Sequence, residues 1–190
     1  KSRGWEVEGQ EVDQKAAAQV FGRYGIKVHL GGIEHLGLRE ASYDAIIMNH
    51  VIEHVHDPVG LLTECRRLLR PEGVLVARTP NIESRGHQVF RSCWRGLEPP
   101  RHLWIFSGNA LRSCAEKTGF PLIDVWAEAV NAGGMYWMSH GIVIKEKQTA
   151  WPVVQSLSGL VRAAGFFFVE LLLSRWQPWI GEELVLKAGK

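Results

Sequence analysis

Residues 49–58 read "NHVIEHVHDP", which sets His50, Glu53, His54, His56 and Asp57 directly behind the apolar run "YDAIIM". Imidazoles titrate near neutral pH, so they can take up or release a proton during a reaction. Together with a carboxylate they can also ligate a metal ion. They can equally close a strand-to-helix turn, satisfying backbone groups while Asp57 caps the helix that follows. Three readings therefore stand side by side: a structural turn, a proton-transfer site and a metal site.

The elements around this stretch decide how its side chains are presented. "WEVEGQEV" (5–12) reads as a short strand, and Asp13 caps an Ala-rich helix with Ala17, Val20, Phe21 and Tyr24 as its apolar face. Gly25 ends that helix and "IKVHL" (26–30) is the next strand. "YDAIIMNHV" (43–51) is a third, with the near-continuous apolar run of a strand covered on both faces. Asp57 and Pro58 open a helix over 58–70, in which Leu61, Leu62, Cys65, Leu68 and Leu69 make one buried face. "VLVARTP" (74–80) is a fourth strand. Ser107 caps a helix over 108–118, Gly119 ends it, and 120–128 is a fifth strand. An apolar helical stretch over 153–176 precedes a last strand at 182–188. Strands alternating with single helices predict an α/β fold with a doubly wound, mostly parallel sheet. This placement also disposes of the H-x-x-E-H zinc-peptidase reading of "HVIEH", which needs a long helix rather than the end of a buried strand.

With 190 residues, the chain is long enough for one domain with a substantial core. A net charge of +2 supplies no basic face for nucleic acid. Three cysteines without a CxxC pair suggest neither a disulfide framework nor a thiolate zinc site, and the reduced cytoplasm is the expected compartment. The first ten residues, "KSRGWEVEGQ", lack the apolar stretch of a signal peptide and read like the interior of a fold.

In doubly wound folds ligands bind at the carboxyl ends of the strands, where Glu11 sits after Gly9. An acid there can accept both hydroxyls of a ribose, about 20 residues after a Gly-rich first loop. Counting back from Glu11 puts that loop before Lys1. "GWEVEGQEVD", "SYDAIIMNHVIEHVHDP", "LLTECRRLLRPEGVLVARTPN" and "PPRHLWIFSGNALRSCAEKTGF" together resemble class I S-adenosylmethionine-dependent methyltransferases. The nearest branch carries a "VLEHV" signature after its fourth strand. The match runs over about 4–128, and "GEELVLKAGK" resembles that fold's antiparallel last strand.

The resemblance implies a Rossmann-like core formed by 1–128 and 180–190, with 129–179 as a helical insertion or cap. It further implies that Glu11 binds ribose, that Gly32 and Ile33 border the adenine, and that Asn49 and His50 lie beside the sulfonium of S-adenosylmethionine. His54, His102 and His50 are then the candidate acid–base residues for methyl transfer to a hydroxyl or amine of a small molecule. The chain departs from the family in two places. The Gly-rich strand and loop are absent, which predicts an N-terminally truncated fold, and Gly32 stands where an Asp often reads the adenine amine. These departures carry the alternative, a catalytically silent Rossmann-like domain with a binding or assembly role.

In related ubiquinone-biosynthesis and small-RNA methyltransferases an E-x-x-E-H segment and a later His hold a divalent cation. Here His50 replaces the first Glu and His102 matches the later His. Three imidazoles and one carboxylate suit a transition metal better than magnesium, but this set differs from the family's, so no metal is expected. Arg85, Arg91, Arg95 and Arg101 lie in the acceptor-covering region and suit an anionic acceptor. The aromatics and leucines of 153–179, interrupted by Arg162, Glu170 and Arg175, argue against a membrane span. They allow a core helix, a lipidic acceptor, peripheral membrane contact or homodimerisation.

Overall fold

The computed structural model describes residues 4–146 and 157–190. Strand β1 (Glu8–Glu11), helix α1 (Gln14–Tyr24) and strand β2 (Lys27–Leu30) form the first βαβ unit. The Asp13 side chain accepts the Lys15 and Ala16 N–H groups, and Gly25 closes α1 at φ 59°. That left-handed conformation suits a residue without Cβ. β1 and β2 pair in parallel, from Glu8 opposite Lys27 to Glu11 opposite Leu30.

The second unit is β3 (Tyr43–Asn49), α2 (Pro58–Leu68) and β4 (Leu69–Pro80). Asp57 accepts the Gly60 N–H, and Pro58 occupies the first helical turn, where its missing N–H costs nothing. Leu61, Leu62, Cys65 and Leu68 are buried beneath this unit. Each fully buried leucine contributes about 1.5–3 kcal/mol. β4 begins at Leu69, five residues before the strand expected from 74, because Tyr43 pairs with Leu69 ahead of a register shift. "RPEG" thus lies within a strand.

Helix α3 (Arg85–Phe90), α4 (Gly108–Lys117), β5 (Leu122–Glu128), α5 (Ala132–Glu146), α6 (Leu157–Leu173) and β6 (Glu183–Gly189) follow. Residues 153–156 of the expected long helix lie outside the described residues. β6 runs antiparallel between β4 and β5, as expected for the last strand. The main core joins Met48, Ile52 and Leu75 to Leu111, Leu184 and Leu186. Ala129, Ala132 and Phe166 form a smaller core between α5 and α6.

Two expectations need correction. The strands do not form one ladder: β1–β2 is a two-stranded sheet, and β3–β4–β6–β5 a four-stranded one. The facing edges of β1 and β3 enclose a gap of about 300 Å³, lined by Gly9, Gln10, Ala45 and Ile47 among others. A side-chain bond crosses it, in which the Tyr43 hydroxyl donates to Glu8 Oε2 at 2.9 Å. β3 is consequently an edge strand, and Ile47 is 78% exposed rather than covered on both sides. The apolar face assigned to α1 is likewise unburied, with Phe21 and Tyr24 exposed, because the narrow β1–β2 sheet covers little of the helix.

Candidate functional site

The chain leaves β3 through His50, whose φ of 53° lies in the left-handed region rarely used by residues with a Cβ. Its backbone N–H is held by the Arg78 carbonyl at 3.0 Å. The ring lies between two carboxylates, with Nδ1 3.0 Å from Glu53 Oε1 and Nε2 3.0 Å from Glu183 Oε1. Carboxylates only accept, so both ring nitrogens donate and the ring is an imidazolium. Its pKa is pushed up to about 10, chiefly by Glu183 and next by Glu53. Burial pulls the Glu183 carboxyl upward, but hydrogen bonds from His50 and Asn131 outweigh it and hold the group below the usual range. A ring with both nitrogens protonated has no lone pair for an incoming proton, so this geometry gives His50 an electrostatic role instead of a base's.

The 3₁₀ turn Ile52–His54 then presents His54. Its Nδ1 donates to the Arg101 carbonyl at 2.8 Å, which leaves the Nε2 lone pair available. His102 is fixed in the same way, with Nδ1 donating to the Gly96 carbonyl at 2.7 Å. The two rings meet edge to face, with centroids 4.8 Å apart. Glu53 makes this meeting possible. Its backbone carbonyl accepts the Leu103 and Trp104 N–H groups, while the Trp104 indole donates to the Val55 carbonyl. Its fully buried carboxylate also accepts the Thr79 hydroxyl at 3.0 Å. The turn after β3 and the segment that precedes α4 are thereby joined.

His54 opens onto a cleft of about 1100 Å³. Glu11, Gly32 and Ile33 line the same cleft from the ends of β1 and β2. Glu11 Oε1 accepts the Val12 and Asp13 N–H groups at 2.7 and 3.0 Å, which fixes the direction of the carboxylate. Gly31, at φ 124°, turns the chain out of β2 so that Gly32 reaches the wall. Glu34, Asp57 and Glu64 add further acids, against the single arginine Arg101. Asn49 is exposed on β3 in register with Arg78, away from the cleft lining, and His102 lies behind it, buried.

Of the four arginines suggested for an anion, Arg101 alone lines this cleft. Arg95 and Arg101 both pair with Glu98, whose carboxyl is held below its ordinary range, first by Arg95. Arg85 lies over the Phe166 ring at 5.5 Å.

Glu53, His54 and His102 each offer a ligand atom, all within 4.8 Å of one another. Bonds of 2.0–2.1 Å to one tetrahedral metal would set ligand atoms about 3.3 Å apart. The Glu53 oxygens already serve His50 and Thr79, and His50 is turned away toward Glu183. The set as built does not fit a bound metal. Glu183, which sequence reasoning passed over, had a signal: "GEEL" opens a largely apolar strand with two acids, and a buried acid requires a partner.

Comparison with known proteins gives a consistent family. A methyltransferase domain family matches residues 3–125. A protein of Mycolicibacterium smegmatis described as a probable S-adenosylmethionine-dependent methyltransferase is 38% identical over 76 residues, 40% of this chain and 30% of its own length. A ubiquinone biosynthesis O-methyltransferase of Cereibacter sphaeroides is 42% identical over 110 residues, 55% of this chain and 44% of its own. The chain thus spans less than half the length of either relative. Among solved structures, an S-adenosylmethionine-dependent methyltransferase from Archaeoglobus fulgidus superposes with a TM-score of 0.64 at 17% identity, covering 100% of this chain and 78% of the other. Phosphoethanolamine N-methyltransferase 2 of Haemonchus contortus, in complex with S-adenosyl-L-methionine, gives 0.59 at 15%, covering 98% and 44%. These two structures establish the Rossmann-like methyltransferase fold.

Proposed function

We propose, on the premise that this chain belongs to the methyltransferase domain family, that it transfers a methyl group from S-adenosylmethionine to a hydroxyl or amine of a small molecule. The observation that carries this reading is one cleft with a fixed carboxylate, Glu11, on one wall and the free Nε2 of His54 on another.

The residues suit the cofactor. Glu11 is placed to accept ribose hydroxyls at the strand ends, where doubly wound folds bind nucleotides. Gly32 and Ile33 form the wall for the adenine. The acidic lining of Glu11, Glu34, Asp57 and Glu64 favours a ligand that carries positive charge. S-adenosylmethionine, when bound, supplies an activated methyl group.

The remaining work falls to the chain's own side chains. His54 Nε2 takes the acceptor's O–H or N–H proton and later passes it to solvent through the open cleft. The Arg101 carbonyl holds the ring's other N–H and so keeps the lone pair aimed. His102 packs against His54 and limits its rotation. The imidazolium of His50, enclosed by Glu53 and Glu183, leaves that triad with a net negative charge beside the cleft. Residues 129–179 serve as a cap on a core of 1–128 and 180–190, and the cytoplasm is the working compartment.

Calorimetric titration with S-adenosylhomocysteine, together with radiolabelled methyl transfer to a panel of phenols, catechols and amines, tests the reading. Binding that is lost in Glu11→Ala and turnover that is lost in His54→Ala support it. Absence of cofactor binding would overturn it.

A further inference from the structure

α6 packs with Ala163, Phe166 and Glu170 turned into the protein. The opposite face is also apolar. Val161, Phe168 and Leu172 stand at i, i+7 and i+11, which places them along one side of the helix, and each is about 60% exposed. Trp176 continues the line past the helix end at 86% exposed, with Trp179 partly exposed nearby. A surface helix ordinarily presents charged groups to water, and a contiguous apolar patch marks a site of contact.

The charges around the patch are of one sign. Over 157–179 the charged residues are Arg162, Glu170 and Arg175. Glu170 is fully buried, where its Oε1 accepts the Glu182 N–H at 3.0 Å. Arg162 and Arg175 are exposed and form no ion pair among the described residues. Within 157–179 the outer surface is therefore apolar, and its exposed charges are both cationic.

We propose that the outer face of α6 rests on an anionic lipid surface. Phe168 and Leu172 enter the boundary between headgroups and acyl chains, Trp176 sits at headgroup level, and Arg162 and Arg175 meet lipid phosphates. No helix among the described residues is long and apolar enough to cross a membrane, which is consistent with an in-plane contact. Self-association through this face fits less well. A two-fold interface would bring Arg162 and Arg175 of both copies together with no acid to balance them.

Cosedimentation with vesicles tests the proposal, comparing phosphatidylglycerol mixed into phosphatidylcholine against phosphatidylcholine alone. Binding should be at least about tenfold stronger on the anionic vesicles and should weaken as salt rises. Brominated lipids should quench tryptophan fluorescence, and Trp176→Phe should reduce that quenching. Phe168→Glu with Leu172→Glu should abolish binding. Arg162→Gln with Arg175→Gln, which spares all packing, should remove the preference for anionic lipid. Equal binding to both vesicle types, or none to either, would overturn the proposal. So would a dimer in light scattering that Phe168→Glu converts to monomer, since the face would then be a self-interface.

Discussion

His50 and Glu183 are joined by a 3.0 Å hydrogen bond across the width of β4, since His50 follows β3 and Glu183 opens β6. The bond fixes the charge of the histidine as well as its position. The pKa of His50 is raised to about 10 from 6.5, so its contribution to stability is fully present below pH 6.5 and is lost as pH rises through about 10. Thermal melts of the wild type should therefore show a falling midpoint between pH 7 and 10.5. Glu183→Gln should lower the midpoint at pH 7 and flatten that decline. A charge-assisted hydrogen bond contributes about 1.5–3 kcal/mol, and partial exposure of His50 argues for the lower end. Identical pH dependence in the two proteins would show that the pair is not charged.

A buried acid pair should act in a neighbouring pH window. Glu170 on α6 and Glu182 just before β6 are both fully buried. Burial, and then the adjacent Glu182, push the Glu170 carboxyl up to about 8. Burial raises Glu182 too, but it accepts from the Trp94 indole and the Gly86 N–H, so the proton belongs on Glu170. Arg85, whose guanidinium lies over Phe166, is the facing cation. An acid whose folded pKa is raised stabilises below its unfolded value and loses that contribution as pH rises through about 8. Glu170→Gln keeps a neutral side chain and should remove this decline between pH 5 and 9. Parallel melting curves for variant and wild type would contradict the assignment.

How far the sequence disclosed these features depends on whether the cause is local. The Asp57–Pro58 helix start, the Gly25 stop and the buried leucines of α2 all depend on neighbouring residues, and all were legible. The separation of β1 from β3 was not, because strand pairing is a long-range choice that an apolar run does not record. The same holds for the exposure of Phe21, which depends on how wide a sheet lies under α1. In the site, the histidines themselves were plain. Their division into one locked cation, His50, and two that give Nδ1 to backbone carbonyls required the strand order that brings Glu183 to His50.

Glu11 provides the sharpest test of the cofactor wall. Its Oε1 is occupied by two backbone N–H groups, which orients the carboxylate and leaves Oε2 for a ligand. Glu11→Ala should weaken S-adenosylhomocysteine by about 1.5–3 kcal/mol, the scale of hydrogen bonds to a charged group. Because Glu11 also caps the turn at Asp13, Glu11→Gln serves as the control: it keeps one acceptor and should lose less. Unchanged affinity in calorimetry would remove Glu11 from the site.

The last prediction separates proton transfer from metal binding at His54 and His102. Each ring gives its Nδ1 hydrogen to a backbone carbonyl, an arrangement that serves a general base and a metal ligand equally well. The difference lies in Glu53, whose carboxylate is already held by the His50 imidazolium and the Thr79 hydroxyl. Drawing it onto a metal would strip the half-exposed His50 cation of one of its two partners and leave Glu183 as its only carboxylate contact. Methyl transfer should therefore survive EDTA. His54→Ala should lower turnover by about 10²–10⁴ with little change in cofactor affinity, as expected for loss of a general base. His102→Ala should cost less, because it supports the ring of His54 without reaching the cleft. Activity abolished by EDTA and restored by zinc, with about one equivalent bound and lost in His54→Ala, would instead make the cluster a metal centre.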